Sequence, residues 1–97
     1  MAEIRWTHEA VAWMEKIHKY IAEDSPEAAN HVLEGIYTKA QLLADFPEMG
    51  YHYRQEPNGS IRVLLYGHYR IAYLFRDPDI IEILGIFHGA MDITRYL

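Results

Sequence analysis

The feature that most constrains this chain is a change of hydrophobic period near Gly50. Before it, apolar residues recur at helical spacing; after it, they alternate or run together as strands do. From His8 to Glu23, Ala10, Met14, Ile17 and Ile21 follow at intervals of four, three and four, one face of an amphipathic helix. Thr7 is suited to cap it, and Glu9 suits the positive end of its dipole. Asp24-Ser25-Pro26-Glu27 restarts the pattern: serine caps, and proline at the first helical position loses no hydrogen bond. A second helix is predicted to about Asp45, with Ala29, Val32, Leu33, Ile36, Ala40 and Leu43 on one side. Phe46-Pro47 ends it, because proline disfavours helical geometry in the residue before it. So short a link makes the two helices an antiparallel hairpin.

Beyond Gly50 the pattern predicts strands at Tyr51–Glu56, Ile61–Tyr66, Tyr69–Arg76 and Ile80–Phe87. Turns fall at Pro57-Asn58-Gly59-Ser60, Gly67-His68 and Asp77-Pro78-Asp79, which favours consecutive antiparallel hairpins. Ile80–Phe87 is almost continuously apolar and is expected to be central and covered on both faces. Glu3 to Trp6 alternates as a short strand. The predicted fold is therefore α+β: an N-terminal strand, then an antiparallel helical hairpin packed on a mostly antiparallel β-sheet. With 51% hydrophobic and 24% charged residues, residues 1–97 suit one globular domain with one core. His88 to Leu97 is expected to be a short helical turn or an extended tail.

Several chemistries are disfavoured by what the chain lacks. Without cysteine there is no disulfide, no thiol nucleophile and no cysteine-ligated metal. The six histidines include no pair at i, i+4 and no HExxH, so no metal site is expected. No glycine-rich phosphate loop is present, and no cofactor is expected. Ser25 reads as a cap and Ser60 as a turn residue, so a serine nucleophile is unsupported. No apolar stretch is long enough to span a membrane or serve as a signal peptide, and the expected location is cytoplasmic.

The charge is unevenly spread. Residues 1–48 hold nine acids against four bases, while residues 49–97 hold five of each, every base there an arginine. The net charge of −5 thus belongs to the helices, with Glu15, Glu23, Glu27 and Glu34 turned to solvent. Arg62, Arg70, His88 and Tyr96 are residues able to bind a phosphate and move a proton at a ribose 2′-hydroxyl. If Gly67-His68 is a two-residue turn, Leu65 pairs with Arg70 and Arg62 with Tyr73, leaving the arginines on opposite faces. One more residue in the turn would bring them together.

The strand, hairpin and meander carry Phe46-Pro47-Glu48-Met49-Gly50, Arg62, Tyr69-Arg70-Ile71-Ala72-Tyr73, Ile86-Phe87-His88-Gly89 and Asp92 in that order. Over essentially the whole chain this resembles the RelE/ParE superfamily, the toxins of type II toxin–antitoxin modules, often called plasmid stabilisation proteins. The resemblance implies a growth-inhibiting cytoplasmic toxin held inactive in a hetero-oligomer with a cognate antitoxin. RelE-like members cleave messenger RNA on the ribosome; ParE-like members poison DNA gyrase. In the nuclease pattern, Arg70 and Tyr96 match catalytic positions, but the two strand lysines fall on Ile61 and Val63 and a further arginine on Ala90. Missing cations weaken phosphate binding, and a ribosome-directed toxin is expected to be strongly basic. His88 matches the C-terminal histidine of other nuclease members.

The ParE-like branch fits better, with toxicity tied to the C-terminal end, although Met91 stands where that branch usually has arginine. The leading expectation is a ParE-like, non-catalytic toxin of DNA gyrase, with Arg62, Arg70, Met91 and Arg95 as target-binding candidates. The alternatives are a metal-independent messenger-RNA endoribonuclease using Arg70, His88 and Tyr96, or a degenerate, non-toxic antitoxin-binding member. Trp13, Tyr20 and Tyr37 either complete the core or stand partly exposed on the hairpin to meet the antitoxin.

Overall fold

A computed structural model describes all residues, Met1–Leu97. Strand β1 (Glu3–Trp6) leads into helices α1 (His8–Ala22) and α2 (Pro26–Gln41), then strands β2 (Tyr51–Glu56), β3 (Gly59–Tyr66), β4 (Tyr69–Arg76) and β5 (Ile80–His88). Both helices begin as their caps dictate: Thr7 Oγ1 accepts from the Ala10 amide and Ser25 Oγ from the Ala28 amide, each at 3.1 Å. The second helical stretch departs from its predicted length. Its α-helical part stops at Gln41, and Leu42–Ala44 continues as a tighter 3-10 turn. The β2–β3 turn is also shorter than predicted, because β3 already begins at Gly59.

The five strands form one sheet in the order β1-β5-β4-β3-β2. Neighbouring strands run antiparallel except β1, which lies parallel to β5. Parallel pairing of β1 is possible because the helical hairpin supplies the long crossover between it and the meander. β5 is internal, as its apolar run demands. A bulge at Leu84 lets both Ile83 and Ile86 face the helices, although their odd spacing would otherwise put them on opposite faces. The main core lies there, with Ile36, Ala40 and Leu43 from the helical side meeting Leu64, Ile71, Tyr73, Ile81, Ile83 and Ile86. On the other face Val63, Ala72 and Phe87 are covered by the C-terminal segment through Ile93.

Segment 46–50, which joins the helices to β2, is latched to the sheet by a cross-strand pair. Arg62 and Tyr73 are register partners on the helix-side face. The Tyr73 hydroxyl donates to the Pro47 carbonyl at 2.7 Å and accepts from the Gly50 amide at 3.0 Å. Arg62 donates to the carbonyls of Gly50, at 2.7 Å, and Glu48, at 3.3 Å. Only glycine fits at position 50, since a Cβ there would sit 2.8 Å from both the Tyr73 ring and the Val63 carbonyl.

Burial holds the Tyr73 phenol above its ordinary value of 10.0, against the opposing pull of the Gly50 amide and the Arg62 charge. The folded chain therefore keeps this proton where the unfolded chain releases it. The resulting stability is full below about pH 10 and declines as pH rises further. Tyr73→Phe strands a buried amide and a carbonyl, so it should cost about 2 kcal/mol in urea unfolding at neutral pH. The gap to the wild type should then narrow above pH 10, because phenylalanine lacks the titration.

Candidate functional site

The register leaves Arg62 and Arg70 on opposite faces of the sheet, because Tyr66 pairs with Tyr69 and Leu65 with Arg70. Arg62 is turned inward, its side chain 18% exposed, on the carbonyls already described and 4.0 Å from the Glu48 carboxylate. Arg70 does the same on the other face. One of its terminal nitrogens donates to the Met91 carbonyl and, at 3.4 Å each, lies near those of His88 and Gly89. Each arginine also buries an Nε that has no partner. Arginine's fork suits a phosphate, but here one terminal nitrogen of each guanidinium is taken up by backbone carbonyls. Arg62 secures the segment before β2, and Arg70 the segment after β5.

His88 and Tyr96 are likewise separated. His88 pairs with Tyr69, whose neighbours Ile71 and Tyr73 belong to the helix-side core, and meets the Tyr69 ring edge-on at 5.8 Å. Its Nδ1 accepts from the Ala90 amide at 3.2 Å, and its ring stacks on His68 at 6.3 Å. Tyr96 lies across the sheet, stacked on Phe87 at 5.3 Å. Phe87 pairs with Arg70, so Arg70 and Tyr96 share a face that His88 does not. Arg70, His88 and Tyr96 therefore do not converge on one point, as a shared proton-transfer site would require.

The C-terminal segment carrying Tyr96 is well secured. Asp92 Oδ1 accepts from the Thr94 amide and hydroxyl, at 3.2 and 2.6 Å, which keeps its carboxyl below the usual range, with a smaller contribution from Arg70. Ile93 is buried, and Arg54 donates to the carbonyl of Leu97. Met91 is half-buried, while Arg95 is exposed and makes no ion pair.

Trp13 sits at the seam between the two cores. It meets Phe87 at 4.9 Å and Tyr96 at 5.1 Å, both edge-on, while the Lys16 ammonium lies 4.9 Å above its ring. Tyr20 is 77% exposed, and Tyr37 is half-exposed, stacked on Trp6 at 6.0 Å. Trp13 and Tyr20, with Ile17, form one wall of a cleft of about 390 Å³, whose other side is Tyr69, Ile86, His88 and Met91. Tyr69 and Ile86 carried no signal in the sequence, since their convergence with α1 depends on helix docking. No three His, Cys, Asp or Glu side chains are gathered to hold a metal ion. No helix is long and apolar enough to cross a membrane.

A helical hairpin on a five-stranded, mostly antiparallel sheet is a fold this chain shares with solved proteins of ParDE and RelBE2 systems. Residues 4–93 match the family model described as the ParE toxin of the type II toxin–antitoxin system parDE. The chain belongs to that family. Toxin RelE2 of Caulobacter vibrioides is 33% identical over 91 residues, covering 93% of this chain and 98% of its own length. Y4kP of Sinorhizobium fredii, named as a toxin, is 33% identical over 86 residues, covering 89% and 86%. The fold is also that of a chain in the chromosomal ParDE system of P. aeruginosa, with a TM-score of 0.72 and 22% identity over 91% of this chain and 96% of that one. A chain of the RelBE2 toxin–antitoxin complex of Mycobacterium tuberculosis gives a TM-score of 0.59 at 23% identity, over 90% and 96%.

The Arg70 contacts make a direct prediction. Arg70→Ala should speed amide hydrogen exchange across residues 89–97 and leave β3 and β4 protected. The local loss should be about 2 kcal/mol, as expected for hydrogen bonds to a charged donor. Arg70→Lys should recover only part of it, since lysine's shorter reach and more strongly hydrated ammonium fit the Met91 carbonyl less well.

Proposed function

We propose that this chain is a toxin that acts by binding rather than by catalysis, with DNA gyrase as its target, and that a cognate antitoxin neutralises it in a hetero-oligomer. The observation that carries the reading is the state of Arg70. One terminal nitrogen of its guanidinium donates to the Met91 carbonyl and lies near those of His88 and Gly89, and His88 stands on the opposite face from Tyr96. A metal-independent nuclease needs free cations for the phosphate and an acid–base pair in reach of one ribose hydroxyl. Ile61 and Val63, at the positions of the nuclease lysines, are buried and apolar.

A binding toxin needs instead a firm surface, and the anchored C-terminal segment offers one. Arg95, Tyr96 and the half-buried Met91 are among its accessible groups, with Arg70 beneath as the support that fixes the segment. Membership of the ParE family supports gyrase as the target. Two solved relatives belong to toxin–antitoxin systems, which supports an antitoxin partner.

Two assays on the purified chain test this. Supercoiling by DNA gyrase should be inhibited, while messenger RNA in a translating extract stays intact. Arg95→Glu should weaken gyrase inhibition roughly tenfold without lowering the melting temperature, as loss of a surface charge contact would. Message cleavage without gyrase inhibition would replace this reading by the endoribonuclease. Inactivity in both assays, with the fold intact, would leave a non-toxic member of the family.

A further inference from the structure

The segment that Tyr73 and Arg62 latch to the sheet is apolar and open on its outer side. Phe46 is 60% exposed and Met49 38%, and with Pro47, Glu48 and the partly buried Phe75 they line a shallow groove of about 600 Å³. A second hollow of about 330 Å³ continues it, sharing Glu48 and Phe75 and adding the polar groups of Gln55, Asn58, Ser60, Arg76 and Asp77. An exposed apolar seat bordered by polar groups marks an interaction surface. The charges along it are unequal. Arg76 is its one cation and is already paired with Glu82 at 3.0 Å. Glu48 keeps 73% of its side chain in solvent, 4.0 Å from the inward-turned Arg62, and Asp77 is exposed and makes no ion pair. The charges left open to solvent are therefore carboxylates.

From this we infer that the groove is a docking site for a basic peptide segment of a protein partner. One large apolar side chain of that segment lies between Phe46, Met49 and Phe75, and a lysine or arginine beside it meets Glu48 and Asp77. Asn58 and Ser60 are placed to take hydrogen bonds from its backbone. Charge complementarity sets the choice of occupant. An acidic segment would be repelled by both carboxylates, and a nucleic acid would find no free cation for its phosphates. The latch contributes as well. Tyr73 and Arg62 fix the backbone of Pro47, Glu48 and Gly50 before any partner arrives, so less ordering cost falls on binding. The groove is also separate from the C-terminal surface. Phe75 belongs to the helix-side face near the far end of β4, whereas Arg70 and Tyr96 hold the opposite face at its start. The inference therefore does not rest on gyrase as the target.

The test uses the whole protein and two synthetic peptides that share a central phenylalanine. One flanks it with lysines and the other with glutamates. The lysine peptide should bind and shift the NMR signals of Phe46, Met49, Phe75 and Asp77, with affinity falling as salt rises. The glutamate peptide should bind at least roughly tenfold more weakly. Phe46→Ser should weaken the lysine peptide roughly tenfold, as loss of an apolar anchor would. Asp77→Asn should weaken it roughly threefold, as loss of one exposed ion pair would. Both side chains are exposed, so the melting temperature should hold. His31→Ala, at an exposed position on α2, should leave binding unchanged. Equal binding of the two peptides, shifts confined to other residues, an unaltered affinity in Phe46→Ser, or a ribonucleotide oligomer shifting the same signals would each overturn the inference.

Discussion

Most of this structure depends on where β1 stops. It pairs with β5 only as far as Trp6 and Ile83. There Thr7 takes over, donating both its amide, at 3.2 Å, and its hydroxyl, at 2.7 Å, to the Ile83 carbonyl, while the same hydroxyl oxygen caps α1. One residue thus ends a strand, satisfies the sheet edge and starts a helix. Because α1 begins at that edge, it runs along the part of β5 that β1 leaves unpaired. Trp13 then falls at the rim of the sheet, touching Phe87 and Tyr96 from one face while joining the main core from the other.

The seating of Phe87 follows from the same arrangement. Its ring lies over Gly85, where a Cβ would come within 2.5 Å of it. The ring is therefore free to lie flat against the strand and to present its face to Tyr96. The three aromatic rings link helix, sheet and C-terminal segment at the one place where all three meet.

Much of the fold was legible in the residues, because period, caps and turns are local signals. The switch at Gly50, the Ser25-Pro26 restart and the Gly67-His68 turn each place an element or a register without reference to distant residues. The α-helical end of α2 was less legible, since Leu42–Ala44 continues the apolar pattern while tightening to 3-10 geometry. The candidate site was legible as a set of positions but not as a set of contacts. Arg62 and Arg70 have the chemistry of phosphate ligands in any listing of residue types. Only the three-dimensional arrangement reveals that carbonyls of residues 48–50 and 88–91 reach them first. Likewise Tyr73 reads as a strand aromatic, and its double hydrogen bond to Pro47 and Gly50 depends on the path of the preceding connection.

The anchoring of the last nine residues has an entropic consequence. A free segment of that length would lose about 1–2 kcal/mol per residue on being fixed by a partner. Here Arg70, the Asp92 cap and the burial of Ile93 have already restricted residues 89–97 during folding. A macromolecule meeting Arg95 and Tyr96 encounters a surface that is already in shape, so more of the contact energy survives as affinity. In so small a domain, preorganisation of this kind lets a modest patch bind firmly without a large interface.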